Sequence, residues 1–126
     1  MAQDLARLLI VDDDCSFAAE LKADGDRLGL VVKMAHDTLA FESQLQSWKP
    51  TIIAMDLVMP DSDGLELLRI SARRKYCGNL ILMSGGYELY LRMAGEIART
   101  NKLHVVAKLA KPFRPKRFAY LLMSLI

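Results

Sequence analysis

Residues 52–64 read IIAMDLVMPDSDG. Four apolar residues of strand length run into Asp56, and a Pro/Asp/Gly stretch follows at once. A carboxylate at that junction closes a buried strand and opens into a loop, where a reactant can reach it. The same plan recurs outward along the chain. Residues 8–11 (LLIV) run into Asp12, Asp13 and Asp14, and residues 80–83 (LILM) end at Ser84, ahead of Gly85 and Gly86. Residues 105–107 lead toward Lys111 and Pro112, and residues 30–32 supply a fifth short apolar run.

Between these runs the apolar residues fall at helical spacing: Phe17, Leu21 and Leu28; Phe41, Leu45 and Trp48; Leu65, Leu68 and Ala72; Tyr90, Ala94 and Ile97; and Phe118, Leu121, Leu122 and Leu125. Strand-length runs without polar alternation are those of strands covered on both faces. Five such strands alternating with five helices predict an α/β fold with a doubly wound, five-stranded parallel sheet. In such sheets ligands bind beyond the carboxyl ends of the strands. The acids, Ser84 and Lys111 all stand at or just past those ends, so topology gathers them.

Composition narrows the class. The 126 residues suffice for one domain, read as 1–126, and 52% hydrophobic with 25% charged residues is a globular balance. No apolar run approaches the roughly 18 residues of a membrane span. The start, MAQDLARLLIVDDD, lacks the plan of a signal peptide, so a cytoplasmic location is expected. Cys15 and Cys77 show no metal spacing, and Cys15 is expected to pack near a helix start. The net charge of +2 says little about partners. The basic clusters Arg69, Arg73, Arg74, Lys75 and Arg114, Lys116, Arg117 read as solvated helix faces. They are not interleaved with aromatics, so direct nucleic-acid binding is not expected.

Asp12, Asp13 and Asp56 brought together would repel one another unless a cation neutralised them. Hard oxygen donors on a wet rim suit Mg²⁺. Asp14 reads instead as the cap of the helix that begins beside it.

In that order, LLIVDDD, IIAMDLVMPDSDG, LILMSGG and AKPF resemble the receiver domain of two-component response regulators, over essentially the whole chain. The resemblance implies a flavodoxin-like sheet in strand order 2-1-3-4-5. It implies that Asp56 accepts a phosphoryl group from a histidine kinase or phosphotransfer protein. It makes Asp13 a direct Mg²⁺ ligand, has Asp12 hold the ion largely through water, and adds the Val58 carbonyl. Ser84 then hydrogen-bonds the phosphoryl group, Lys111 pairs with it, and Lys111–Pro112 is a cis bond. The protein so described is a signalling switch, whose chemistry is taking and losing one phosphoryl group rather than ordinary turnover. Its kinase is expected on the helix starting near Cys15 to Phe17. The fourth helix, fifth strand and fifth helix, with Tyr87, Tyr90, Arg92 and residues 114–117, are expected to meet an output domain or a second copy.

The chain departs from the family in three places. Lys108 stands where an aromatic reporter is usual, three residues before Lys111, and reads as an exposed edge-strand lysine. Val58 and Gly86 lack the polar groups that often orient an attacking water, so slow self-dephosphorylation is expected. The long segment from Ser84 to Lys111 predicts a longer fourth helix and is similar to receivers attached to EAL-type cyclic-di-GMP phosphodiesterases. Two competing readings stand beside the switch. One is a pseudo-receiver that only binds proteins. The other is a phosphatase using Asp12 and Asp14 as a DxD pair.

Overall fold

Adjacent residues in the central strands face opposite sides of one sheet, and each side has its own core. The computed structural model describes residues 5–60, 62–86 and 88–126. Strands β1 (Arg7–Val11), β2 (Val31–Ala35) and β3 (Ile52–Asp56) precede a two-residue ribbon, β4 (Val58–Met59) and β5 (Ser62–Asp63). Strands β6 (Asn79–Gly85) and β7 (His104–Lys111) follow. The five main strands pair in parallel in the order β2-β1-β3-β6-β7, which is 2-1-3-4-5 when the antiparallel ribbon is left out. Helices α1 (Cys15–Arg27), α2 (Thr38–Ser47), α3 (Gly64–Arg73), α4 (Glu88–Thr100) and α5 (Pro115–Ser124) make the connections. Leu8, Ile10, Ile52, Ala54, Ile81 and Met83 pack with Leu21, Phe118 and Leu122 of α1 and α5. Their neighbours Leu9, Val11, Ile53, Met55, Leu80 and Leu82 pack with Phe41, Leu68, Leu91 and Ala94 of α2, α3 and α4. The period of two thus divides the core into two layers.

The edge strands depart from the sequence reading. β2 starts one residue later than expected and runs on to Ala35, with Val31 and Lys33 exposed, and β7 is mostly half-buried or exposed. An edge strand has no neighbour on one side, so its faces are only partly roofed. β7 also carries an irregularity. Leu80 pairs with Val105 but Ile81 with Ala107, which leaves Val106 as an inserted residue. At 13 residues α4 matches α1 and exceeds the 10-residue α2, α3 and α5, as the long segment after Ser84 predicts.

Helix starts follow local chemistry. The carboxylates of Asp14, Asp37 and Asp63 accept the backbone N–H groups of Phe17 (3.1 Å), Ala40 (2.7 Å) and Leu65 (2.9 Å). Gly64, first in α3, sits against the residue that follows Asp56. A Cβ there would stand 2.7 Å from Leu57 Cα and press on the Leu57 carbonyl oxygen. Backbone cannot swing aside as a side-chain tip can. Gly64→Ala is therefore expected to lower stability by about 1–3 kcal/mol in urea unfolding. A variant as stable as the parent would show that the Asp56 loop yields freely.

Candidate functional site

The switch point of the sheet lies where β1 is followed on one side by β2 and on the other by β3. The carboxyl ends of β1 and β3 place Asp12 and Asp56 side by side there. Asp12 is fully buried and Asp56 is 5% exposed, while Asp13 is exposed on the rim. Carboxylate oxygens of Asp12, Asp13 and Asp56 all lie within 4.8 Å of one another. Across the sheet, Gly85 of β6 pairs with Lys111 of β7, which brings Lys111 to the same end. Its Nζ donates to Asp12 Oδ2 at 2.7 Å and to Asp56 Oδ2 at 3.0 Å. The Lys111–Pro112 peptide bond is cis, as expected.

Each partner is itself held. The Val58 N–H donates to Asp56 Oδ1 at 2.9 Å, and the Asp14 N–H to Asp12 Oδ1 at 3.0 Å. His36 Nδ1 donates to the Asp12 carbonyl oxygen at 2.8 Å. The Lys111 ammonium also lies 4.2 Å from the Phe17 ring centroid, and Phe17 meets Phe113 edge-on at 5.6 Å. Burial raises the Asp56 carboxyl above its ordinary value, against the lowering effect of the Val58 N–H and Lys111. Burial works against the Lys111 ammonium too. Its hydrogen bonds to Asp12 and Asp56, and their charges, outweigh that and hold it above the usual lysine range.

Ser84 follows Met83, the β6 partner of Asp56, and is 1% exposed. Its hydroxyl finds no hydrogen-bond partner among the described residues. A buried hydroxyl left without a partner is costly, and it marks a place where an acceptor belongs. Three convergent carboxylates answered by one ammonium leave a surplus of negative charge, and all-oxygen donors at this spacing fit Mg²⁺.

Several expectations need correction or extension. Cys15 stands at the start of a helix as expected, but its side chain is left open. It is exposed at the first position of α1, with Sγ 3.9 Å from His36 Nδ1, because the helix turns its buried face through Ala18 and Leu21 instead. Tyr90, spaced like a core residue, is only half-buried, and its hydroxyl donates to Asp63 Oδ1 at 3.0 Å. Burial and that anionic acceptor raise the Tyr90 hydroxyl, while the Leu65 N–H and the Tyr90 hydroxyl lower Asp63. Lys108 is exposed on the edge strand as expected, but its stem crosses α4 at Gly95, where a Cβ would stand 2.9 Å from Lys108 Cδ. Asp14 is committed to capping α1, which leaves the DxD reading without its second acid. Tyr87, and Asp61 of the loop acids, lie outside the described residues. Sequence reasoning did not single out His36, the Phe17 contact with Lys111, or the Tyr90–Asp63 bond. Phe17 carried only the signal of a core position.

Comparison with known proteins agrees with this geometry. The family model of the response regulator receiver domain matches residues 8–122. A response regulator from Colwellia psychrerythraea superposes with a TM-score of 0.84 at 33% identity, covering 97% of each chain. A signal receiver domain from Bermanella marisrubri does so with a TM-score of 0.77 at 27% identity, over 97% of this chain and 98% of that one. Among curated proteins, the response regulator MprA of Mycobacterium ulcerans is 35% identical over 63 residues, 50% of this chain and 27% of that protein. The match therefore spans about a quarter of that relative's length. The chain belongs to the response regulator receiver family, the receiver domains of two-component signalling. Among the described residues no helix is long and apolar enough to cross a membrane.

Proposed function

We propose that the chain is a phosphorylation-dependent switch that accepts a phosphoryl group on Asp56 from a histidine kinase or phosphotransfer protein. The observation that carries this reading is the Lys111 ammonium shared between Asp12 and Asp56, with the Ser84 hydroxyl, partnerless among the described residues, at the neighbouring strand end.

An Asp56 carboxylate oxygen attacks the phosphorus of a phosphohistidine. The new P–O bond forms as the P–N bond breaks, and the departing electron pair stays on the imidazole nitrogen, which takes up a proton. The Val58 N–H fixes the Asp56 carboxylate in place. Lys111 turns its ammonium from Asp56 toward the incoming phosphoryl oxygens and stays anchored through Asp12 and Phe17. The Ser84 hydroxyl donates to a phosphoryl oxygen and so gains the partner it lacks. Asp13, Asp12, Asp56 and the Val58 carbonyl would hold Mg²⁺, which when bound neutralises charge gathering on the transferred group. Catalysis is then positioning and electrostatics, because the donors already stand at the strand ends where charge develops.

Val58 and Gly86 line a mainly apolar groove of 660 Å³ beside the site, with Leu57, Leu89, Tyr90 and Met93. Neither offers a group to orient water toward an acyl phosphate. After labelling with acetyl phosphate, Asp56 is expected to keep its phosphoryl group for many minutes or longer. Loss within seconds would refute this. The kinase is expected to dock over the start of α1, beside Asp13 and Asp56.

A further inference from the structure

Two loops border Asp56, and they differ in how firmly they are held. One follows Asp56 itself and forms the ribbon of β4 and β5, in which Val58 pairs with Asp63. It is clamped at both ends. The Val58 N–H donates to Asp56 Oδ1 at 2.9 Å, and the Asp63 carboxylate takes the Leu65 N–H at 2.9 Å. Gly64 presses on the Leu57 backbone, where no side chain would fit. The other loop follows Ser84 and leads toward α4. A Cβ built on its Gly85 or Gly86 would meet nothing within 4 Å, so little opposes displacement there. Gly86 holds φ at +89°, a conformation that glycine adopts readily.

Tyr90, in the first turn of α4, joins the two loops. Its hydroxyl donates to Asp63 Oδ1 at 3.0 Å, and both residues border the groove that Val58 and Gly86 also line. Contacts thus run from Asp56 through Val58 and Asp63 to α4. The Leu65 N–H alone would make Asp63 a helix cap, and a phenylalanine would fill the groove wall as well. Neither role calls for the Tyr90 hydroxyl.

We infer that the Tyr90–Asp63 bond is a strap that holds α4 against the acceptor loop, and that phosphorylation of Asp56 breaks it. This rests on the reading of Asp56 as the phosphoacceptor, and adds how the event is passed on. Two changes act on the strap together. Once Asp56 is an acyl phosphate, the Val58 N–H faces a weaker acceptor than a carboxylate, and its hold on the ribbon loosens. The Ser84 hydroxyl turns to a phosphoryl oxygen and draws the two-glycine loop behind it. The Asp63 end and the Tyr90 end then shift apart, and a bond of 3.0 Å has little length to give. The bond is made in one state and lost in the other, which is the differential interaction a two-state switch needs. Position 108 of β7 brings a lysine to this task and no aromatic ring; Tyr90 brings a hydroxyl from α4 instead.

Tyr90→Phe keeps the ring and removes only the hydroxyl. Hydrogen exchange followed by NMR on the whole chain reads the amides of Arg92 to Gly95, the first that α4 bonds internally. Calorimetric titration with beryllofluoride in Mg²⁺, a mimic of the phosphoryl group, reads the site. In the parent, beryllofluoride is expected to speed exchange of those amides. In Tyr90→Phe they should exchange about three- to tenfold faster without it, the scale of one partly exposed hydrogen bond to an anion. By linkage the variant should bind beryllofluoride more tightly by the same factor. A tyrosine that merely packed would loosen α4 with no gain in that affinity, and this outcome overturns the strap. So does a variant that matches the parent in exchange and affinity while the parent itself responds. A parent that neither binds beryllofluoride nor takes label from acetyl phosphate overturns the acceptor reading, and the strap's part in signalling with it.

Discussion

Asp56→Asn is expected to abolish Mg²⁺-dependent labelling of the chain by acetyl phosphate and to leave the fold intact. The amide is near in size to the carboxylate and keeps an oxygen to accept the Val58 N–H. It has no anionic oxygen to attack phosphorus, so the loss is of the nucleophile and not of the site. The variant should also be at least as stable as the parent, because burial holds Asp56 above its ordinary value and its charge is disfavoured there. Intact-mass measurement of one added phosphoryl group reads the first effect, and urea unfolding reads the second. Labelling that persists in Asp56→Asn would move the acceptor elsewhere. An unlabelled wild-type chain would favour a pseudo-receiver that works by binding alone.

The second large effect belongs to Lys111. The side chains of Asp12 and Asp56 are 0% and 7% exposed and share one ammonium that is itself 18% exposed. Lys111→Met leaves two buried carboxylates facing each other uncompensated. Removing one partner of a buried ion pair costs about 3–5 kcal/mol, so the variant should unfold at markedly lower urea when Mg²⁺ is withheld. Added Mg²⁺ should recover more stability in the variant than in the parent, because it supplies the missing positive charge. Combining Lys111→Met with Asp56→Asn should shrink the penalty, since residues in contact do not act additively. The labelling rate should drop about 10²-fold, the scale of losing one preorganised charge partner. Equal stability of Lys111→Met and the parent without Mg²⁺ would mean that the ammonium contributes little to holding the acids together.

The central strands were legible because burial on both faces leaves unbroken apolar runs, as in IIAM and LILM. The acids and Lys111 were legible because strand ends converge in a parallel sheet, wherever they stand in the sequence. What escaped was of another kind. The Val58–Met59/Ser62–Asp63 ribbon is too short for any periodicity to reveal. The half-covered edges of β2 and β7 depend on having one neighbour instead of two. Tyr90, spaced like a core residue, rests half-buried because its hydroxyl reaches Asp63. His36 and Phe17 act on Asp12 and Lys111 through contacts between elements, and spacing within one element cannot report those.

The inserted Val106 has a consequence for where change can be tolerated. Val105 packs on the α4 side of the sheet, while Ala107 and Leu109 pack on the α1–α5 side, although all three positions are odd. The bulge reverses the parity of the strand between them. It thereby sends Lys111 toward Phe17 and Asp56, and Lys108 toward Gly95. A residue gained or lost before the bulge can be absorbed by shifting the irregularity. One gained or lost after it puts the working lysine on the wrong side of the sheet. The frame of the last five residues of β7, more than the identity of those between, decides whether the site has its cation.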